Sequence, residues 1–294
     1  MKKSIYLIMM LLITVFWSCR VKENIVQYAP IETFTNDTLL QTVVSKRAMI
    51  VIAHDDDMCA MAGTMALLNN QGWEIAVVSF SKEPERNAAQ IKACTNILDT
   101  VMFVALQPEQ FRNDLKAGNN GYSAIPISGF DTVFNSALIK EHYITAINAF
   151  KPEIIFTLDN EMGGYGHPEH VFVSQMVIEL AHEKRIAGSY IYQSVYTNHM
   201  ETSIMKRHSE RMKGWGFPGD EWENAKKAYQ VSGMPEPDVQ IKITSQASAK
   251  MDYLRSYNKR EQKVLDFFIP FFSKYDAHEY FTIFDREFFR IIKI

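Results

Sequence analysis

Cysteine is scarce in this sequence, which has only Cys19, Cys59 and Cys94 among 294 residues. Three cysteines can form at most one intramolecular disulfide, so a disulfide-rich scaffold is excluded. Cys59 and Cys94 are expected to be small buried hydrophobic residues, with a disulfide between them as the alternative. Runs of Lys or Arg are also absent, and the formal net charge is -3. A mildly acidic chain without basic clusters argues against nucleic acid as a partner.

The sequence has no apolar run long enough to span a bilayer. The longest, Ile5 to Trp17, covers 13 residues and follows Lys2 and Lys3, as in a signal peptide. Ser18 and Cys19 come next, which resembles a bacterial lipoprotein signal. We therefore expect residues 1–18 to be a signal peptide and lipidated Cys19 to anchor an exported protein to the membrane at the cell envelope. Cleavage elsewhere, giving a soluble secreted product, is the alternative.

The remaining chain alternates between strand and helix patterns after a polar tether predicted at residues 19–45. We find no internal repeat and no low-complexity tract, so residues 46–294 are expected to form one domain. The predicted strands are 48–53, 74–81, 101–106, 153–158, 189–196 and 239–244, and the predicted helices are 58–71, 86–98, 139–150, 167–184 and 246–268, before a final apolar segment at 280–293. Alternation of this kind predicts an α/β, Rossmann-like three-layer fold with a mostly parallel sheet.

Residues 198–237 interrupt this alternation and are predicted to be an insertion or lid. The segment carries Trp215 and Trp222, whose rings could stack on a sugar or could anchor the insertion to the domain. His199 and His208, in the same segment, are expected at the surface.

Two polar clusters follow predicted strands. His54, Asp55, Asp56 and Asp57 come directly after the first strand, and the run Tyr165-Gly166-His167-Pro168-Glu169-His170 follows the strand at 153–158. Because ligands bind beyond the carboxyl ends of parallel strands, both clusters are expected on one rim of the sheet. Two imidazoles and one carboxylate suit a catalytic zinc and leave a coordination position open for water. The residues alone therefore predict metal-assisted hydrolysis.

The same residues resemble the LmbE-like (PIG-L) family of zinc-dependent N-acetylglucosaminyl deacetylases. The family sequence Ala-His-Pro-Asp-Asp-Glu reads Ala53-His54-Asp55-Asp56-Asp57-Met58 here, and Ala62-Gly63-Thr64-Met65 follows. The second signature, Gly-Gly-Tyr-Gly-His-Pro-Asp-His, reads Gly163-Gly164-Tyr165-Gly166-His167-Pro168-Glu169-His170 and is the more specific match. The resemblance covers residues 46–195 and extends only loosely beyond them.

The resemblance implies a role for each matched position. His54, Asp57 and His170 would bind Zn²⁺, Asp56 would be the general base, and Tyr165 with His167 would stabilise the oxyanion, His167 also serving as a proton donor. Arg86 follows the second strand, where the family has a sugar-contacting arginine; a solvated charge at a helix start is the alternative. Glu109 and Asp114 are candidates for the family's acidic residue near the third strand, and Cys59 could be a stray ligand or a core residue.

Two positions depart from the family pattern. Asp55 replaces proline, which adds negative charge beside the metal and loosens the turn, and Met58 replaces glutamate, which weakens support of the ligands. Neither change removes a ligand or the base. The resemblance implies a hydrolase of a linear amide bond that removes the N-acetyl group from an N-acetylglucosamine-type sugar or glycan. An amidase on another acylated small molecule, and a non-catalytic metal-containing glycan-binding lipoprotein, remain alternatives.

Overall fold

The computed structural model describes residues 24–115 and 121–294. The predicted signal peptide and Cys19 lie outside these residues. The strands of the described chain are β1 (Thr35–Asn36), β2 (Arg47–Val51), β3 (Glu74–Phe80), β4 (Thr100–Val104), β5 (Ile154–Leu158), β6 (Tyr190–Val195), β7 (Val239–Lys242) and β8 (Arg286–Lys293). The helices are α1 (Ala62–Asn70), α2 (Pro84–Cys94), α3 (Pro108–Phe111), α4 (Phe130–Val133), α5 (Ser136–Phe150), α6 (Pro168–His182), α7 (Asn198–Gly214), α8 (Glu221–Tyr229), α9 (Ala247–Ser256), α10 (Lys259–Phe268) and α11 (Ala277–Ile283). None of these helices combines the length and apolar character that crossing a bilayer requires.

One eight-stranded sheet organises the described chain, in the order β1-β7-β8-β6-β5-β2-β3-β4. The neighbours from β4 to β6 pair in parallel, whereas β8 is antiparallel to both β6 and β7. Successive residues of β2 enter opposite cores: Ala48 and Ile50 pack in one apolar cluster, Met49 and Val51 in the other. This alternation follows from the period of two in a strand. The predicted α/β three-layer fold with a mostly parallel sheet is confirmed.

The order of the strands fixes the place of a site. β3 lies on one side of β2 and β5 on the other, so the chain leaves β2 and β5 in connections that diverge. A crevice forms at such a reversal, outside the carboxyl ends of the strands. The two polar clusters of the sequence follow these two strands.

Several elements differ from the sequence-based expectation. The helix predicted at 246–268 is two helices, α9 and α10, because Asn258 caps a new N-terminus by accepting hydrogen bonds from the backbone N–H groups of Arg260 and Glu261. The final apolar segment begins in α11 and ends in β8. From residue 24 onward the predicted tether is built into the domain: β1 pairs with β7, and Ile25 and Leu40 are buried.

Candidate metal and hydrolytic site

The first part of the site is the turn that leaves β2. The Asp57 carboxylate turns back and accepts a hydrogen bond from the backbone N–H of His54 at 2.8 Å. Two buried tyrosines fix the chain on either side, since the Tyr143 hydroxyl donates to the carbonyl of Ile52 and the Tyr257 hydroxyl to that of Asp55. The turn is therefore held by side chains from α5 and from the chain between α9 and α10.

The second part is the loop from β5 to α6, which is organised by the buried Asp159. Its carboxylate accepts hydrogen bonds from three backbone N–H groups, those of Glu161, Met162 and Gly164. Gly163 follows with a φ of 55°, and a Cβ there would lie 2.5 Å from the Cβ of His170. The close approach of this loop to α6 therefore requires glycine.

Folding brings three electron-pair donors from these two segments together. His54 Nδ1 lies 2.7 Å from His170 Nε2, and Asp57 Oδ1 lies 3.1 Å from His170 Nε2 and 3.7 Å from His54 Nδ1. Ligands of a tetrahedral zinc at ~2.0 to 2.1 Å are about 3.3 Å apart, so the observed separations fit a small divalent cation. The structure thus brings together the three residues predicted as ligands.

In both imidazoles the ring nitrogen that points away from the cluster lies within hydrogen-bond distance of a partner, and this contact fixes the orientation of the ring. His54 Nε2 lies 2.7 Å from Glu169 Oε2, and His170 Nδ1 lies 2.8 Å from the carbonyl oxygen of Gly163. Both partners only accept hydrogen bonds, so these outer nitrogens carry the protons and the inner nitrogens present lone pairs. Two lone pairs and a carboxylate oxygen that face one another form a donor set that is compatible with a bound cation.

The electrostatics of His54 point the same way. Burial and the charge of Lys82 lower its pKa, but the carboxylates of Asp57 and Glu169 outweigh them and raise it to about 9. A positive charge is thus favoured at this position, and a bound divalent ion would supply it in place of a proton.

His167 is the third imidazole of the cluster. Its ring nitrogens and those of His54 and His170 include atoms that all lie within 4.8 Å of one another. However, His167 Nδ1 accepts a hydrogen bond from the backbone N–H of Glu169, which leaves the proton on Nε2. Burial, followed by the nearby charges of His170 and His54, lowers its pKa well below the ordinary value. A neutral Nε2–H suits a hydrogen-bond donor better than a metal ligand.

A buried chain of contacts runs behind His54 from Glu169 to Arg112 and is called the relay below. It was not predicted from the sequence. Glu169 bridges His54 and Arg112, whose Nη1 lies 3.0 Å from Glu169 Oε1. Arg112 is fully buried and also forms a two-pronged ion pair with Asp114. Burial raises the pKa of Glu169, but the hydrogen bond and charge of His54, followed by the charges of His167 and Lys82, outweigh it and lower the pKa. Glu169 stands at the aspartate position of the second signature and could have been singled out; Arg112 follows β4 without any motif.

Asp55 and Arg86 form a second ion pair beside the site. Arg86 Nη2 lies 2.5 Å from Asp55 Oδ1 and Arg86 Nε lies 3.1 Å from Asp55 Oδ2, while Asp56 Oδ1 is 3.4 Å from Nη2. The expectation that Asp55 loosens the turn is wrong, since this fully buried carboxylate is tied to Arg86 and its carbonyl to Tyr257. Burial and the charge of Asp56 raise the pKa of Asp55 to about 6, against the opposing effect of Arg86. Arg86 is thereby held against the turn, with about a quarter of its side chain exposed.

Asp56 and Tyr165 face a cavity that opens next to the ligand cluster. Asp57 and His170 line the same cavity. The Tyr165 ring stacks on Phe268 with 4.4 Å between centroids and meets the His170 ring edge-on at 5.2 Å. Burial, then the charges of Asp57 and Asp56, raises the pKa of Tyr165 well above its ordinary value, so its hydroxyl stays protonated and able to donate.

The other residues that the sequence analysis named lie outside the ligand cluster. Asp114 pairs with Arg112, and Glu109 is exposed on the short helix α3. Cys59 and Cys94 are free and buried, as expected for small core residues. His208 is not a plain surface residue, because its ring lies 5.6 Å from that of Phe268 and 6.3 Å from that of Tyr165.

The segment predicted as a lid consists of α7, α8 and the chain up to β7, and it packs beside the site. Ala225 in α8 contacts Gly166, where a Cβ would lie 2.4 Å away, and the Tyr229 hydroxyl donates to the Gly166 carbonyl. Trp222 is half-buried against the core, whereas Trp215 is exposed. The insertion is therefore anchored to the loop that carries Tyr165 and His167.

Glu169→Gln tests the relay. The amide keeps the size of the side chain but removes the charge that orients and polarises His54, so we expect zinc affinity to fall by about 10- to 100-fold with the fold retained. Competition against a chromophoric chelator measures the affinity. Glu179→Gln, a half-exposed position on the same helix, is the matched control. Unchanged affinity in Glu169→Gln would show that the relay does not support the metal.

Comparison with known proteins shows what this chain is similar to. Residues 49–181 match the family model described as PIG-L, GlcNAc-PI de-N-acetylase, and no curated protein sequence matches the chain. Three similar solved structures share the fold at low identity. A deacetylase of the teicoplanin biosynthesis pathway is 14% identical with a TM-score of 0.52, covering 84% of this chain and 98% of its own. The A40926 pseudoaglycone deacetylase is 15% identical with a TM-score of 0.50, covering 85% and 98%. A deacetylase–teicoplanin complex is 11% identical with a TM-score of 0.50, covering 84% and 99%.

The matched segment contains every element from which the ligand cluster is built, from β2 through α6. The chain therefore resembles the PIG-L, or LmbE-like, family over residues 49–181.

Proposed function

We propose that the protein is a zinc-dependent hydrolase that removes the acyl group from the amide nitrogen of an amino sugar, such as an N-acetylglucosamine-type glycan of the cell envelope. The observation that carries this proposal is the convergence of His54 Nδ1, His170 Nε2 and Asp57 Oδ1 beside the free face of Asp56. The family match supports amide hydrolysis, since its description names a de-N-acetylase.

In this proposal the side chains of the site divide the chemical tasks among them. His54, Asp57 and His170 would hold a divalent ion, which when bound would supply Lewis acidity and lower the pKa of a water molecule. Asp56 neighbours the proposed ligand Asp57 but is not itself a proposed ligand, and it accepts the proton of the attacking water. The His167 Nε2–H and the Tyr165 hydroxyl donate to the oxygen on which negative charge develops. His167 Nε2 is also the donor available to the leaving amine.

An amidase that acts on another acylated small molecule is the second candidate. The cavity beside Asp56 favours it, because its walls are mainly apolar. A non-catalytic glycan-binding protein is the less favoured alternative, since binding alone would not require Asp56 to face the ligand cluster.

We also propose export and membrane anchoring through lipidated Cys19, supported by the Lys2-Lys3 and Ile5–Trp17 pattern. Fractionation of cells that express the full chain tests this. Recovery of the wild type in the soluble fraction would rule out the anchor.

A substrate panel tests the proposed activity. Amine release is measured for N-acetylated glucosamine, chitooligosaccharides and acylated amino acids, with an O-acetylated sugar as the control for nonspecific hydrolysis. We expect release from N-acylated amino sugars and none from the ester. Tight binding of these sugars without turnover would instead support the binding protein.

A further inference from the structure

The cavity beside the ligand cluster is larger than an acetyl group needs. Its volume is about 60 Å³, and it is bounded on the cluster side by Asp56, Asp57, Tyr165 and His170. By the same measure one water molecule, which is similar in size to a methyl group, needs roughly 10 to 15 Å³. The volume beyond the cluster must therefore accommodate more of a substrate than the acetyl methyl, or be filled by water.

The walls away from the cluster are apolar. They comprise Leu158, Val195, Met234, Val264, Leu265 and Phe268. Of the polar side chains there, Tyr196 already donates its hydroxyl to the carbonyl of Phe268 at 2.9 Å. A sugar ring in this space would lose the hydration of its hydroxyls without enough partners to replace it. The cavity is suited to a hydrocarbon.

A second space lies next to the cavity. Its volume is about 50 Å³, and it shares six lining residues with the first, among them the small side chains of Cys59, Ala60 and Ser194. Its far walls include Met200, Phe281 and Phe284. Three charged groups line this space, and each has a partner of opposite sign. Lys250 and Glu287 pair with each other at 2.5 Å, and Glu287 also accepts from the backbone N–H groups of Gly63 and Thr64. Arg286 Nε lies 3.4 Å from Asp285 Oδ1.

The two sides of the ligand cluster differ in chemistry. Behind His54 lie charged groups, namely Glu169, Arg112 and Asp114, with Lys82 close enough to affect the pKa of His54. On the side of Asp56 lies the apolar cavity. An amide with its carbonyl at the cluster would therefore direct its hydrocarbon substituent into the cavity and its polar part toward the charged side.

We infer that this cavity is an acyl pocket and that the preferred substrate is an amide of a linear, medium-chain fatty acid rather than an acetamide. This inference rests on the proposed function. The acyl group, and not a distant substituent of the sugar, is the occupant because its first methylene is bonded to the carbonyl carbon that must lie between Asp56 and the ligands. Hydrolysis would form a bond from water oxygen to that carbon and break the C–N bond, releasing a free fatty acid and an amine that gains a proton.

The test is a chain-length series on one sugar: N-acetyl-, N-butanoyl-, N-hexanoyl- and N-octanoylglucosamine, with kcat/KM measured on the full chain. We expect kcat/KM to rise with length by roughly fourfold for each buried methylene until the cavity is filled. Binding of N-octanoylglucosamine and N-acetylglucosamine to the wild type by calorimetry provides a readout that does not require turnover.

Val264→Trp tests the position of the pocket. Val264 lies on α10 at the cavity wall and is 37% exposed, so a larger ring can enter the cavity mouth with little strain on the core. We expect the ratio of octanoyl to acetyl kcat/KM to fall by about tenfold or more. Val44→Trp, at a 96% exposed position, is the matched control and should change neither.

The outcomes separate the two proposals. If the acetyl substrate is best and rates fall with chain length, the acyl pocket is refuted while the proposed function stands. If no amide is hydrolysed, the proposed function fails; tighter binding of the octanoyl sugar that Val264→Trp weakens would still support the pocket, and equal affinity for both sugars would refute it.

Discussion

Asp56→Asn should reduce turnover by about 10²- to 10⁴-fold, the usual contribution of a general base, at unchanged fold and zinc content. Asp56 borders the cavity next to Asp57 and His170, and its carboxylate lies 3.4 Å from the guanidinium of Arg86. An amide at this position keeps the shape but cannot accept the proton of water. Steady-state kinetics and metal analysis on the same preparation measure both quantities.

The control for this substitution is Asp252→Asn, an exposed carboxylate on α9. It should leave turnover unchanged. Near wild-type turnover by zinc-loaded Asp56→Asn would rule out Asp56 as the base. Loss of zinc in Asp56→Asn would mean that Asp56, and not Asp57, is the carboxylate ligand.

His170→Ala should lose most of the zinc and with it at least on the order of 10² to 10³ in turnover, the scale of losing an electrostatic stabiliser of the oxyanion. His170 Nε2 lies within 3.1 Å of both other donors, so its removal leaves two ligands. Zinc per chain by elemental analysis and turnover at limiting zinc measure the effect.

His182→Ala is the matched control, since His182 is exposed in the last turn of the same helix. It should retain zinc and activity. Because His170 is buried, thermal unfolding of both variants separates metal loss from unfolding. Full zinc occupancy in folded His170→Ala would contradict the ligand assignment.

The ligand cluster was predictable because its residues directly follow two strands. The apolar runs that become β2 and β5 are read from the sequence, and parallel strands place their carboxyl ends on one rim. His54, Asp57 and His170 are therefore brought together by topology alone. Tyr165 and His167 belong to the same loop and meet the cluster for the same reason.

Arg112 was not predictable, since it follows β4 without a motif and reaches Glu169 only after the chain folds across the rim. The position of Arg86 depends on a neighbour that the family pattern lacks. Aspartate in place of proline at position 55 gives Arg86 a buried partner, and the arginine that the resemblance assigned to the sugar is held against the turn. Its predicted contact with substrate remains a prediction.

The pairing and direction of the strands toward this edge of the sheet could not be predicted from the sequence either. β1 has two residues, too few for a periodic pattern, and its pairing with β7 depends on the tertiary fold. β8 is an apolar and aromatic segment whose pattern does not fix its direction, and it lies antiparallel between β6 and β7. Arg286, Glu287 and Phe288 of β8 line the second space of the proposed acyl pocket, which therefore had no signal in the motifs.

The most direct test of the account is amine release from an N-acylated glucosamine by the full chain before chelation, after chelation and after zinc is restored. The account predicts release that stops when the metal is removed and returns with about one zinc per chain. Release that continues at the same rate in the demonstrably metal-free protein would contradict it.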